Sequence, residues 1–191
     1  MLTQPALAGT RPVTEADWHL IEAFHRNCSP ANLVRRWGRT HINRRGLSRL
    51  LAQGDCWITL DADGIPVALA SIGPVSREPG VVDLGLQVAD AHQRRGIGTA
   101  LARHAADHAR ARGAHTLTAY TEASNEPMLR LLHRLGPSRH TRDGAQVDVR
   151  IPLDSPDPRC RTGSVTPTPR SPVLHVLHLF CGLGEEGADG S

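Results

Sequence analysis

A short segment in the middle of the chain, Gln93-Arg94-Arg95-Gly96-Ile97-Gly98, has the residue types that bind phosphate. Gly96 and Gly98 let the backbone approach a ligand closely and tolerate positive φ. Arg94 and Arg95 can form charge-assisted hydrogen bonds to phosphate oxygens. A helix that starts in this segment adds unpaired N–H groups and a partial positive charge. The segment therefore predicts an anion-binding loop suited to a pyrophosphate.

Two common nucleotide-binding loops do not fit this segment. A dinucleotide-binding loop of the form G-x-G-x-x-G needs a third glycine, and this chain has Leu101 there. A Walker loop needs a lysine before its Ser or Thr, and the sequence contains no lysine. The glycine pattern therefore favours a different phosphate-bearing ligand.

The elements around the loop are predicted from their hydrophobic periodicity. An apolar strand, Val81–Val88, precedes it, and a helical pattern over Thr99–Arg112 follows and ends at Gly113. A short strand over His115–Tyr120 and a helix over Asn125–Leu135 come next. The loop is thus expected at a strand-to-helix junction, where the first turn of the helix faces the ligand.

The rest of the chain is predicted to complete one α/β domain over residues 1–153. Residues 154–191 are rich in proline and glycine, and we expect a disordered tail there. The hydrophobic patterns and turn residues predict further strands and helices in the domain: a strand over Leu7–Val13, helices from Trp18 and from Pro30, an ambiguous helix within 39–54, strands over Cys56–Leu60 and Ile65–Ile72, and a final strand after the Asp143-Gly144 turn.

With these elements around it, Gln93–Gly98 matches the [QR]-x-x-G-x-[GA] signature of the GNAT N-acetyltransferase superfamily, which the chain resembles over about residues 7–153. The helix Asn125–Gly136 is similar to a second pattern of that family. The resemblance implies an α/β (α+β) fold in which helices flank a mixed, mainly antiparallel central sheet. It also implies transfer of an acetyl group from acetyl-CoA to a primary amine by direct attack in a ternary complex.

The resemblance also implies which residues form the site. The backbone of Leu86 and Val88 would pair with the pantetheine arm, and the Leu86 amide would polarise the thioester carbonyl. The Asn125 side chain would contact the cofactor near its sulfur. The full cofactor-binding set is Leu86, Gln87, Val88, Gln93, Arg94, Arg95, Gly96, Ile97, Gly98, Thr99 and Asn125.

The sequence departs from the family at the groups that transfer protons. The tyrosine that the family uses as an acid falls at Leu132, and a final aromatic residue falls at Pro137. Asp83, early in the fourth strand, is the candidate base, with a solvated strand residue as the alternative. Because the tyrosine is missing, a non-catalytic acyl-CoA-binding regulatory module is the rival function. Met128, Leu132 and the Ser29-Pro30 region before the Arg-Arg-Trp segment resemble the bacterial protein-lysine acetyltransferase branch. The candidate acceptors are a protein lysine, a polyamine, an amino acid and an antibiotic amine.

Composition limits the other classes of partner. The net charge is +3 and the basic residues are spread along the chain, so we expect no nucleic-acid partner. The four cysteines form no CxxC pair, and His104 and His108 lack the companion glutamate of a zinc helix, so we expect no metal.

The sequence has no leader and no long apolar run, which predicts a cytoplasmic protein without membrane contact. A homodimer is compatible with it. A local basic cluster suggests either a solvated face or an acidic acceptor or partner; it comprises Arg35, Arg36, Arg39, Arg44 and Arg45.

Overall fold

The structure, a computed structural model, describes residues 9–153. Short 3-10 turns at Glu15–Asp17 and Asp90–His92 accompany the regular elements. In chain order, the strands and helices are β1 (Thr10–Pro12), α1 (Trp18–Arg26), α2 (Pro30–Trp37), α3 (Arg44–Gln53), β2 (Asp55–Leu60), β3 (Pro66–Pro74), β4 (Val81–Val88), α4 (Ile97–Ala111), β5 (Thr116–Glu122), α5 (Glu126–His133), β6 (Arg139–Asp143) and β7 (Gln146–Pro152).

The strands form one sheet in the order β1-β2-β3-β4-β5-β7-β6. Every neighbouring pair is antiparallel except β4 and β5, which are parallel. Parallel neighbours need a crossover connection, and α4 supplies it. The fold is therefore the mixed, mainly antiparallel α/β arrangement that the sequence predicted.

The parallel pair is the irregular part of the sheet. Pairing between β4 and β5 covers three positions, from Val81–Thr116 to Asp83–Thr118, whereas β4 pairs with β3 up to Val88. Beyond Asp83 the two strands separate. The second half of β4 therefore has a neighbour on one edge and a gap on the other.

Helices cover the two faces of the sheet. The face carrying α1, α2 and α3 is called the front face, and the face carrying α4 and α5 is called the back face. The back-face core joins α4 to β4 and β5 through Leu84, Leu101 and Leu117. The front-face core joins α1 to α3 through Ile21, Phe24, Trp37 and Leu47, among others. Since side chains alternate along a strand, Asp83, Gly85 and Gln87 face the front.

Helix α2 is short, and its ends are well defined. The Ser29 hydroxyl caps it by accepting a hydrogen bond from the Asn32 N–H at 3.3 Å, and Pro30 occupies the first turn. Gly38, with φ of 67°, ends it in the left-handed conformation. These residues fix where Asn32 and Arg36 lie on the front face.

A buried polar network attaches α2 to the end of β4. The Asn32 amide donates to the Val88 carbonyl at 2.9 Å and to Asp90 at 3.1 Å. The Asn32 oxygen accepts from Gln87 at 3.3 Å, and Gln87 in turn accepts from the Trp37 indole N–H at 2.9 Å. Each polar group in this network depends on its neighbour, because a buried polar group without a hydrogen-bond partner lowers the stability of the fold.

Several predicted boundaries need correction. Helix α4 begins at Ile97 rather than Thr99, because the left-handed Gly96 is its N-terminal cap. The ambiguous segment 39–54 contains α3, whose end abuts β2. The predicted strand Leu7–Val13 is observed as β1, and Leu7 lies outside the described residues, as does the predicted tail 154–191.

We predict that Asn32→Leu lowers the free energy of unfolding by about 2 kcal/mol or more, because it leaves the Gln87 amide without an acceptor and the Val88 carbonyl with fewer donors. Urea denaturation measures the change. Asn27→Leu is the matched control, since Asn27 is exposed just after α1, and it should change stability by no more than about 0.5 kcal/mol. Equal losses in the two variants would contradict a role for the network.

Candidate active site

The predicted anion-binding loop lies between β4 and α4, next to the gap. Arg94 and Gly96 both have left-handed backbones, with φ of 61° and 82°. A left-handed arginine is strained by roughly 1–2 kcal/mol, and such strain concentrates at functional sites. Ala100 donates its N–H to the Gly96 carbonyl at 3.0 Å, so the N–H groups of residues 97–99 precede the first bonded turn. The arginine side chains at 94 and 95 are exposed beside these groups.

Gly98 leaves a narrow space beside β4. A β-carbon at this position would lie 3.2 Å from Leu131, 3.3 Å from Val88 and 3.6 Å from Leu86. These three side chains form the apolar wall where α4, α5 and the gap meet. A larger residue at 98 would fill the space that the open strand edge leaves.

The backbone of Leu86 faces this gap. The Val81 carbonyl accepts a hydrogen bond from Val75 on the β3 side. Backbone groups alternate in direction along a strand, so those of the even-numbered residues point toward β5. The Val88 carbonyl already accepts hydrogen bonds from Asn32 and Gln93. No residue of β5 pairs with Leu86, so the N–H and C=O of Leu86 point into the gap.

Asp83 lies at the point where β4 and β5 separate. Its Oδ1 is buried without a hydrogen-bond partner among the described residues. Burial raises the pKa of Asp83 to about 6, against the attraction of Arg36 and with a further contribution from Asp148. A carboxylate with a raised pKa and a free oxygen can accept a proton near neutral pH.

Side chains of β5 and β7 continue the front face beyond Asp83. Asp148 accepts a hydrogen bond from the Thr118 hydroxyl and another from Arg150 Nε at 2.9 Å. Arg150 also binds Glu78 through two hydrogen bonds, of 2.6 and 3.0 Å. These contacts hold Asp148 in place near Asp83.

Tyr120, the single tyrosine of the chain, also lies on the front face. Its hydroxyl donates to Asp143 at 3.2 Å. Burial raises the pKa of the phenol, and the Asp143 carboxylate raises it further. The tyrosine is thus held as a neutral donor to a carboxylate.

Three of the predicted site residues have side chains with structural roles. Gln87 belongs to the buried network with Trp37 and Asn32. Asn125 caps α5 by accepting from the Met128 N–H at 3.4 Å, and it donates to Thr121 at 2.9 Å. Gln93 donates to the Val88 carbonyl at 3.1 Å. Any contact from these positions to a ligand would involve their backbone or their remaining hydrogen-bonding capacity.

Leu132, where the family tyrosine would lie, is fully buried in the back-face core. It therefore contributes packing and offers no group that could transfer a proton. Trp37 is 5% exposed and belongs to the front-face core.

Arg36 lies at the candidate site, although the motifs did not single it out beyond its place in an arginine cluster. Its guanidinium lies against Gly85, and Nη2 donates to the Ser71 hydroxyl at 2.8 Å. Its carbon atom Cζ lies 4.0 Å from the centre of the Trp37 ring. Two sequence signals could have predicted that Arg36 lies over β4: the alternation of side chains along the strand and the position of Arg36 on its helix.

The other candidates from the sequence have ordinary surroundings. His104 and His108 both contact the Trp57 ring edge-on, and His108 pairs with Asp55 at 3.2 Å. Among residues 9–153, no group of three or more potential ligands is arranged to hold a metal ion. None of the described helices is long and apolar enough to cross a membrane.

Solved structures with the same fold have been determined for bacterial acetyltransferases. The GNAT domain of S. lividans PAT matches with a TM-score of 0.67 at 20% identity, covering 75% of this chain and 89% of that one. The Vibrio cholerae spermidine N-acetyltransferase, solved with CoA and spermine, matches with a TM-score of 0.61 at 15% identity, covering 76% and 95%. The yncA protein of Salmonella typhimurium, solved with acetyl-CoA, matches with a TM-score of 0.60 at 23% identity, covering 76% and 93%.

The family model described as "Acetyltransferase (GNAT) family" matches residues 18–136, from the start of α1 to the end of the α5 region. This range contains the loop, the gap and Asp83. The chain therefore belongs to the GNAT acetyltransferase family, whose members are N-acetyltransferases that use acetyl-CoA as co-substrate.

Proposed function

We propose that this protein transfers the acetyl group of acetyl-CoA to a primary amine by direct attack, with both substrates bound together. The observation that carries the proposal is the open edge of β4 at Leu86, next to the partner-free carboxylate of Asp83. One group can hold a thioester carbonyl, and the other can accept a proton. Both lie at the point where β4 and β5 separate.

The loop and gap fit the shape and charge of acetyl-CoA. Residues 94–99 supply backbone N–H groups and two exposed arginines for a pyrophosphate, and the small Gly98 leaves room beside Leu86 and Val88 for a narrow chain. The Leu86 N–H would act as an oxyanion-hole donor to the carbonyl of the bound thioester. In this proposal Asn125 lines the same gap from the start of α5.

The proposed reaction needs no covalent bond to the protein. An acceptor bound on the front face loses a proton from its ammonium group to Asp83, directly or through one water. The amine nitrogen then forms the C–N bond as the C–S bond breaks. The nitrogen loses its second proton to solvent, and the thiolate takes one proton from solvent, since the family tyrosine is replaced by the buried Leu132. The net products are the amide, CoA and one released proton.

Binding of acetyl-CoA tests the cofactor part of this proposal. We expect Gly96→Glu to lower the affinity for acetyl-CoA at least 100-fold, because it puts a negative side chain and a strained backbone beside the pyrophosphate site. Titration calorimetry measures the affinity. Gly113→Glu is the control: Gly113 also has a left-handed backbone, with φ of 84°, but lies at the far end of α4. Unchanged binding by the Gly96 variant would contradict the site.

A pH profile tests the role of Asp83. Since the base must be ionised, kcat/KM of the wild type should rise as pH increases through about 6, which is the pKa of Asp83. Asp83→Asn should lower kcat/KM by about 10²–10⁴-fold at pH 8 and remove this step from the profile. Asp107→Asn, on the exposed side of α4, is the control and should retain the step. A retained step in the Asp83 variant would rule out this base.

Stability gives an independent measurement at the same position. Below about pH 3 the Asp83 carboxyl is largely protonated in both states, since its pKa is 3.8 when unperturbed and about 6 in the fold. Between pH 4 and 6, Asp83 ionises readily in the unfolded chain but not in the folded protein. The wild type therefore loses stability over this range relative to a variant with a neutral side chain at position 83. Asp83→Asn should therefore gain at most about 3 kcal/mol at pH 8 and almost nothing at about pH 3. Denaturation at both pH values measures this, and a loss of stability at pH 8 would indicate a structural carboxylate instead.

The rival function, a module that binds acyl-CoA without turnover, predicts different behaviour. Such a module would bind acetyl-CoA with the same loop but release no CoA thiol with any amine. Thiol release across peptides, polyamines and amino acids therefore separates the two functions.

A further inference from the structure

We propose that the acceptor carries a carboxylate close to its amine, as a free amino acid does, and that Arg36 binds this carboxylate. This inference rests on the proposed acetyl transfer to an amine and specifies the class of that amine. It follows from the contacts of Arg36, from its position relative to Asp83, and from the charges around both.

Arg36 is a cation held in place with most of its donors unused. Its guanidinium lies flat against the backbone of Gly85, where a β-carbon would overlap Nη2. Among the described residues, Ser71 is its only hydrogen-bond partner, and it forms no ion pair. An arginine has five N–H donors and stays charged in proteins. A half-buried guanidinium with one hydrogen bond is therefore suited to binding an anion.

The position of Arg36 matches that of a group next to the reacting nitrogen. Gly85, under the guanidinium, lies two residues after Asp83 on the same face, a separation of about 7 Å along the strand. The next residue, Leu86, faces the gap where the thioester is proposed to bind. An amine placed between Asp83 and Leu86 therefore has the guanidinium beside it. In an α-amino acid, one carbon atom joins the amine to the carboxylate. This short separation matches the closeness of the Arg36 guanidinium to the proposed position of the amine.

Three carboxylates near the gap already accept hydrogen bonds from neighbouring side chains. Asp148 binds Thr118 and Arg150, Glu78 binds Arg150, and Asp143 accepts from Tyr120. Asp148 and Glu78 are both held by Arg150, so these two offer little to a polyamine. Arg36 and Asp83 are the pair at the gap with unused hydrogen-bonding capacity, one cationic and one able to take a proton.

The charge of the front-face helices also favours an anionic acceptor. Residues 23–54, which include α2 and α3, contain no aspartate or glutamate. They contain arginines at positions 26, 35, 36, 39, 44, 45 and 49. A surface beside a cleft that carries charges of one sign concentrates ions of the opposite sign. This side of the sheet therefore attracts carboxylates and repels polycations.

The wild-type enzyme alone gives the first test. Acetylation is followed by CoA thiol release with the common L-amino acids, each compared with its amide and with the amine that lacks the carboxylate, such as leucine, leucinamide and isoamylamine. Spermidine and a peptide with one lysine and blocked termini complete the panel. We expect the best amino acid to exceed its amide and its decarboxylated amine at least 10-fold in kcat/KM.

Arg36→Gln gives the second test, with Arg103→Gln as the control, because Arg103 is exposed on α4 at the back face. Loss of a charge-assisted pair should lower kcat/KM for the amino acid by about 10- to 100-fold. The decarboxylated amine should lose at least five times less, because it never contacts the guanidinium. The control should treat both acceptors like the wild type. Circular dichroism verifies the fold of each variant, and if Arg36→Gln is unfolded the wild-type panel decides.

Each outcome bears on a different claim. Equal rates for amino acids and their decarboxylated amines, or a preference for spermidine or the lysine peptide, would overturn the carboxylate site and leave acetyl transfer intact. Equal losses for both acceptors in Arg36→Gln would make Arg36 a structural residue or a modulator of Asp83. Absence of thiol release with the whole panel, despite binding of acetyl-CoA, would contradict the proposed function and this inference with it.

Discussion

The separation of β4 from β5 is the constraint on which the site depends. A strand in the interior of a sheet normally satisfies its backbone on both edges, but β4 does so for three positions only. The second half of the strand is left with polar groups that need an external partner. The neighbouring residues support this arrangement: Gly98 keeps the space beside the edge open, and Asn32 and Gln93 occupy the Val88 carbonyl.

The parts of the fold that depend on local chemistry were predictable from the sequence. Alternation of apolar residues identified β4 at its observed bounds, and the glycine–arginine segment identified the loop. The same pattern misplaced the start of α4 by two residues, because Ile97 and Gly98 resemble loop residues until the left-handed Gly96 is known to precede them. Segment 39–54 stayed ambiguous because its helix is stabilised mainly by contact with the sheet rather than by local propensity.

The pairings at the site were harder to predict, since they join residues far apart in sequence. Arg36 reaches Ser71, and Arg150 reaches Glu78, across separations of 35 and 72 residues. Asp83 was proposed through its position in the family, but its raised pKa comes from burial in the folded protein, which no local pattern encodes. The strain at Arg94 is likewise invisible in the sequence, where glycine would be the expected residue.

The hydrogen bonds of Asn32 have a mechanical consequence. This one side chain holds α2, the carbonyl that ends β4, and the carboxylate of Asp90 at the entrance to the loop. Displacing the helix that carries Arg36 would therefore displace the loop that precedes α4. The helix and the loop are therefore held in one relative arrangement. Because the fold already sets the distance between their two binding sites, two bound molecules would lose less entropy in reaching a reactive alignment.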